Sequence, residues 1–167
     1  MAGRLALLLA GIWLGALVLS WFVATANFRV VDRVLRVPVR PEIEGRWAAV
    51  PTGARRETLR HAASEANRAL FGTFGLAQLA MGIGLVGLAW PGSGRVRWLA
   101  GAVLAIVLAQ IALGEQITML GRAIDFVPRP LPPEVARRFG RLHATFVGLD
   151  LAKAALLAGI ATLVARR

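Results

Sequence analysis

Four stretches of the 167-residue chain are almost free of charge, about Leu5 to Ala26, Leu70 to Trp90, Trp98 to Leu120 and Leu142 to Val164. A helix that crosses a bilayer needs ~20 consecutive apolar residues, so each stretch predicts one spanning helix. The expected fold is all-α: one domain over residues 1–167, an integral membrane four-helix bundle. The first stretch, with Ala24-Thr25-Ala26 behind it, has the outline of a cleavable leader, but its apolar core exceeds the roughly 7–15 residues of such segments and predicts a retained helix.

The polar connections predict how these helices continue outside the membrane. Phe28 to Arg36 places arginines and aliphatics at helical spacing, the pattern of an amphipathic extension at the headgroups, and Pro38, Pro41 and Pro51 break regular structure after it. From about Ala54 the helical period returns with no breaker before the second span, which predicts one helix over about 54–90. Trp90-Pro91-Gly92-Ser93-Gly94 marks a tight turn and hence antiparallel second and third spans. Pro128, Pro130, Pro132 and Pro133 forbid helix until Pro133-Glu134, where proline in the first turn and an acid beside it open the last helix. The second and fourth spanning helices are therefore expected to extend beyond the membrane.

Composition narrows the class. The chain is 57% hydrophobic with a net charge of +11, and its arginines cluster in the connections at 27–69 and 121–141. That placement favours anionic lipid headgroups as partner over nucleic acid, for which stacking aromatics are also few. By the positive-inside rule both connections are expected in the cytoplasm and both termini outside; the membrane expected to hold the protein is a bacterial inner one. Trp21, Trp90 and Trp98 fall near span ends, where an interfacial belt would place them. Cysteine is absent, which removes disulfides and thiolate metal sites.

Ionisable residues inside spans are costly and count as site candidates. Asp150 lies roughly 12 Å inside the fourth span at ~1.5 Å per residue, and Lys153 one turn deeper. Glu115, Gln116 and Gln78 fall at comparable depth on the third and second spans, so an intramembrane polar layer of Glu115, Gln116, Asp150, Lys153 and Gln78 is expected. It reads either as structural glue, with Asp150 and Lys153 neutralising each other at i and i+3, or as a proton, ion or small-solute site. Glu115 and Gln110 project about 140° apart and cannot share one narrow seam.

A second set, Glu57, His61 and Glu65, is spaced i, i+4, i+8 on the extension of the second span, with His143 at the start of the fourth. Two imidazoles and two carboxylates can hold a divalent metal; ordinary ion pairs with Arg56, Arg60 and Arg68 are the alternative. Gly82-Ile83-Gly84-Leu85-Val86-Gly87 matches the dinucleotide fingerprint in letters, but it lies in an apolar span after no strand and reads as close helix packing. Gly11 and Gly15 likewise would admit a neighbouring helix. With no nucleophile elbow, phosphate loop or Ser-His-Asp set, no cofactor is firmly implied and a non-enzymatic role is favoured.

Gly11-Ile12-Trp13-Leu14-Gly15, Ala63-Ser64-Glu65-Ala66-Asn67-Arg68 and Phe139-Gly140-Arg141-Leu142-His143 give the chain a layout that resembles the small four-helix membrane family typified by transmembrane protein 205 and its bacterial relatives. The chain departs from that family in having Ala26-Asn27-Phe28 where alanine-proline is usual. The leucine-histidine pair before the last span also resembles anthrone-oxygenase-like membrane proteins. The first resemblance implies a fold and an association with tolerance to metals and platinum drugs, without a reaction. The expected function is an accessory or structural component of a membrane assembly, as a homo-oligomer or in a larger complex. The alternative is a proton-, metal- or small-solute-handling carrier using Glu115, Asp150 and Lys153.

Overall fold

The computed structural model describes residues 1–36, 41–127 and 130–166. They form five helices: α1 (Ala2–Val34), α2 (Pro41–Ala48), α3 (Thr52–Ala89), α4 (Gly94–Ile124) and α5 (Pro133–Ala165). All except α2 are long and apolar enough to cross a membrane, so the chain is a multi-pass helical membrane protein.

The long helices overrun the bilayer as their sequences predict. α3 has 38 residues, about 57 Å at 1.5 Å per residue against a hydrocarbon core of about 30 Å. Its excess is the arginine-rich stretch before Leu70, because nothing between Thr52 and the apolar run interrupts helical hydrogen bonding. α1 behaves alike: the amphipathic segment expected after its span is an unbroken continuation to Val34. α5 opens at Pro133 with Glu134 in its first turn, as its start signals predict. α2 was not expected. Pro41 stands at its first residue, where a missing N–H costs nothing, so this proline starts a helix. The expected breaks at Pro38 and Pro128 lie outside the described residues.

α1 packs on α3 and α5, and α4 packs on the same two, so the spanning helices close a ring with antiparallel neighbours. The buried positions explain the arrangement. Along the apolar part of each helix they fall at 6, 10, 13, 17 and 20 on α1, at 78, 82, 85 and 89 on α3, at 96, 100, 103, 107 and 110 on α4, and at 150, 153, 157 and 160 on α5, with Val31, Ala63, Gly121 and Ile124 buried at the arginine-rich end. Alternating steps of four and three residues keep one narrow stripe of each helix facing its partners, the spacing that gives crossing angles of about 20° in helical bundles.

Small residues set the closest approaches. A Cβ built on Gly82 would lie 3.0 Å from Leu104 Cδ1 and 3.5 Å from the Trp13 ring, so this glycine brings α3 against α4 and α1, whereas Gly84 meets only Leu9 at 3.8 Å and Gly87 meets nothing within 4 Å. The close-packing reading of Gly82 therefore holds. Gly11 and Gly15 of α1 are exposed, and a Cβ on either would meet nothing within 4 Å. Among the described residues no helix fills the space they leave.

Candidate functional site: a buried lysine between four helices

Lys153 is 0% exposed and lies where all four spanning helices meet. Its ammonium donates to Asp150 Oδ1 at 2.8 Å and to the side-chain carbonyl oxygens of Gln78 and Gln110. Three donors thus meet three acceptors, the full capacity of a lysine head. Gln78 Oε1 also accepts the indole N–H of Trp13 at 3.2 Å, and Gln110 Nε2 donates to Asp150 Oδ1 at 2.8 Å. The second carboxylate oxygen of Asp150 accepts the indole N–H of Trp21 at 2.9 Å. Among the described residues no buried side-chain nitrogen or oxygen lacks a partner.

The physical requirement behind this arrangement is severe. Desolvating a lone ion in hydrocarbon costs several kcal/mol or more, and only a close opposite charge with further hydrogen bonds offsets it. Placing Asp150 one helical turn before Lys153 supplies the charge, and glutamines from α3 and α4 supply the remaining acceptors. Because the donors and acceptors come from α1, α3, α4 and α5, the network ties the whole ring together.

Gln78, Asp150 and Lys153 come together as expected, but Glu115 and Gln116 do not join them. Both are exposed on α4. The buried stripe of α4 runs through Val103 and Val107 to Gln110, and residues five and six positions further lie about 140° and 240° around the helix. Gln110 takes their place; its sharing the seven-residue spacing of Val96 and Val103 was the available signal. Trp21 does not join the expected interfacial belt: it turns inward to Asp150, whereas Trp90 and Trp98 are 69% and 82% exposed, as interfacial anchors are.

A second cluster joins α3 to the end of α4. Arg68 grips Asp125 with both terminal nitrogens, Nη1 to Oδ2 at 2.8 Å and Nη2 to Oδ1 at 3.0 Å, and Nη1 also donates to Glu65 at 2.6 Å. Arg122 donates to both Glu65 oxygens at 3.2 Å. His61 Nδ1 lies 2.8 Å from Asp125 Oδ2; a carboxylate only accepts, so this nitrogen carries the proton. The bonds from Arg122 and Arg68 hold the Glu65 carboxyl down at about 2. At Asp125 burial pushes upward, and hydrogen bonds from Arg68 and His61 outweigh it and hold the carboxyl below its ordinary value. Gly121 makes room: a Cβ there would stand 2.9 Å from Arg68 Nη2.

Of the residues considered as metal ligands, His61 and Glu65 come together, with Asp125 as the third group; their ligand atoms lie within 4.8 Å of one another. Glu57 is exposed and outside the cluster, one turn before His61 on α3. His143 is exposed on α5 and stacks on Phe139 at 6.3 Å. The Arg68 guanidinium occupies the acceptor oxygens a cation would need, so the cluster in this form is an ion-pair latch. Asp125 follows the last residue of α4, beyond any helical period, and the pattern of the chain gave no sign of it.

Between α3 and α4 a groove of about 570 Å³ runs from Arg68 and Thr118 to Gln78 and Gln110. Gly72, Gly75 and Gly114 leave the space, Phe71, Ile111 and Phe146 line it, and Glu115 stands at its edge. A smaller cavity of about 180 Å³ adjoins it at the arginine-rich end, bounded by Phe28, Asn67, Phe139 and His143, and shares Arg68, Phe71 and Phe146 with it.

Fold and site together define a class: multi-pass membrane four-helix bundles with an ion pair held at the centre by amide side chains. No protein-family model matches the chain, and neither a curated protein nor a solved structure is found to match it.

Proposed function

We propose that the protein is a non-enzymatic accessory or structural component of a membrane assembly, placed in a bacterial inner membrane with its arginine-rich connections on the cytoplasmic side and its partner a second copy or a larger complex. The observation that carries this reading is the closure of the polar layer. Lys153, Asp150, Gln78 and Gln110 satisfy one another with Trp13 and Trp21, and the charged pair serves to hold four helices in register. The outward glycines of α1 support it, since Gly11 and Gly15 leave a strip on which another helix can pack closely. Anionic headgroups suit the arginine-rich ends. Isolation in a gentle detergent, followed by mass measurement of the intact particle and identification of its chains, tests the reading. A stoichiometric oligomer or complex is expected, and a monomer with no partner overturns it.

A second reading, a carrier of small solutes, is favoured by the groove that brings space for a ligand to Gln78 and Gln110. It places the solute beside the closed Lys153–Asp150 pair, with Glu115 at the opening. If Glu115→Gln and Asp150→Asn leave the bundle assembled and abolish a proton-coupled flux in proteoliposomes, the carrier reading replaces the accessory one.

A further inference from the structure

We infer that the α3–α4 groove is a binding site for a lipophilic organic cation dissolved in the membrane. The inference rests on the carrier reading only for what happens after binding.

Volume and lining fix the size and polarity of the ligand. The groove measures about 570 Å³, within the roughly 300–1,000 Å³ of small-molecule sites. Its body is apolar and partly aromatic, with Phe71, Ile111 and Phe146 along it, and it ends on the side chains of Gln78 and Gln110, which are 5% and 4% exposed. It opens on the outer surface of the bundle beside exposed Gly72 and Leu76, so a ligand enters from the bilayer.

Charge fixes the sign. Among the described residues two ionisable ones line the groove, Arg68 and Glu115. Arg68 is already matched by Asp125 and Glu65, and cannot attract an anion. Glu115 makes no ion pair among the described residues. Its carboxylate, five residues inside the end of the third span, lies about 8 Å along the helix from that end. A cation completes it; an anion of the same shape is repelled. A zwitterionic lipid carries its ammonium at the headgroup level, above this depth, so a membrane-dissolved cation fits the site better than a lipid head.

Equilibrium dialysis of the purified full chain in detergent with radiolabelled tetraphenylphosphonium tests this, with tetraphenylborate as the isosteric anion. Saturable cation binding is expected, weakened at least ~10-fold in Glu115→Gln, which removes one charge contact of ordinary strength, and retained in Glu115→Asp. Gly72→Leu, built into open space, should block binding while the thermal midpoint stays unchanged. Equal binding of tetraphenylborate, an unaffected Glu115→Gln, or displacement of the cation by phosphatidylethanolamine added to the micelles overturns the inference. Saturable, Glu115-dependent binding with no transport in proteoliposomes supports the site and overturns carriage alone.

Discussion

The indole N–H of Trp21 donates to Asp150 Oδ2 at 2.9 Å, joining the first spanning helix to the last across 129 residues of sequence. This bond leaves the other carboxylate oxygen for Lys153 and Gln110, and so divides the acceptor capacity of one aspartate between three helices. Trp21→Phe keeps most of the ring and removes only the donor. A loss of about 0.5–1.5 kcal/mol in unfolding free energy is expected, measured by denaturant titration in mixed micelles.

Breaking the ion pair should cost more than removing it whole. Lys153→Met leaves Asp150 buried with no cation, and a loss of about 3–5 kcal/mol is expected, as for other broken buried pairs. Asp150→Leu with Lys153→Met removes both charges, and the double variant should be more stable than the Lys153→Met variant. Thermal unfolding of the single and double variants gives the coupling; additive losses would rule out a mutual pair.

Gly82 controls how closely α3 approaches α4. Alanine there would bring Cβ to 3.0 Å from the end of the Leu104 side chain, which can shift by a few tenths of an ångström. A small loss of stability is expected for Gly82→Ala, below about 1.5 kcal/mol, and a large one for Gly82→Leu, whose branch must displace both Leu104 and Trp13. The Trp13 bond to Gln78 would be strained by the same displacement, so tryptophan emission should shift in Gly82→Leu.

The latch of Arg68, Asp125 and Glu65 makes the polar end of the α3–α4 pair sensitive to acid. Glu65 is held at about 2 against an ordinary 4.5, so its contribution is complete above pH 4.5 and is lost as pH falls toward 2. Asp125, also held low, acts with the same sign. Distances between spin labels on exposed positions 62 of α3 and 123 of α4 should broaden over that window, while labels near the opposite turn remain fixed. Gly121→Ala, which pushes Arg68 away, should move the broadening to higher pH.

Much of the architecture was legible because a bilayer asks a simple question of a sequence. Length and lack of charge suffice to mark a spanning segment, and the four described helices long and apolar enough to cross a membrane, α1, α3, α4 and α5, match the predicted spans, α3 ending at Ala89, one residue short of the expected Trp90. Proline at Pro133 and the glycine-proline turn after Trp90 likewise act locally, so the start of α5 and the α3–α4 hairpin follow from neighbouring residues alone. Asp150 and Lys153 were recognisable as a pair because i and i+3 are adjacent on any helix.

What the chain alone left open was rotation. An α-helix that carries Gln110 and Glu115 can turn either toward the bundle, and depth in the membrane is the same for both choices. Packing decided it: the four-and-three spacing of Val96, Ala100, Val103 and Val107 puts Gln110 on the seam with Lys153 and leaves Glu115 at the mouth of the groove. The same is true of Arg68, whose partner Asp125 is 57 residues away and is brought to it only when α3 and α4 lie side by side. Local sequence determined which segments are helices and which cross the membrane; only the contacts between helices determined which polar side chains share a site, because that depends on surfaces no single helix contains.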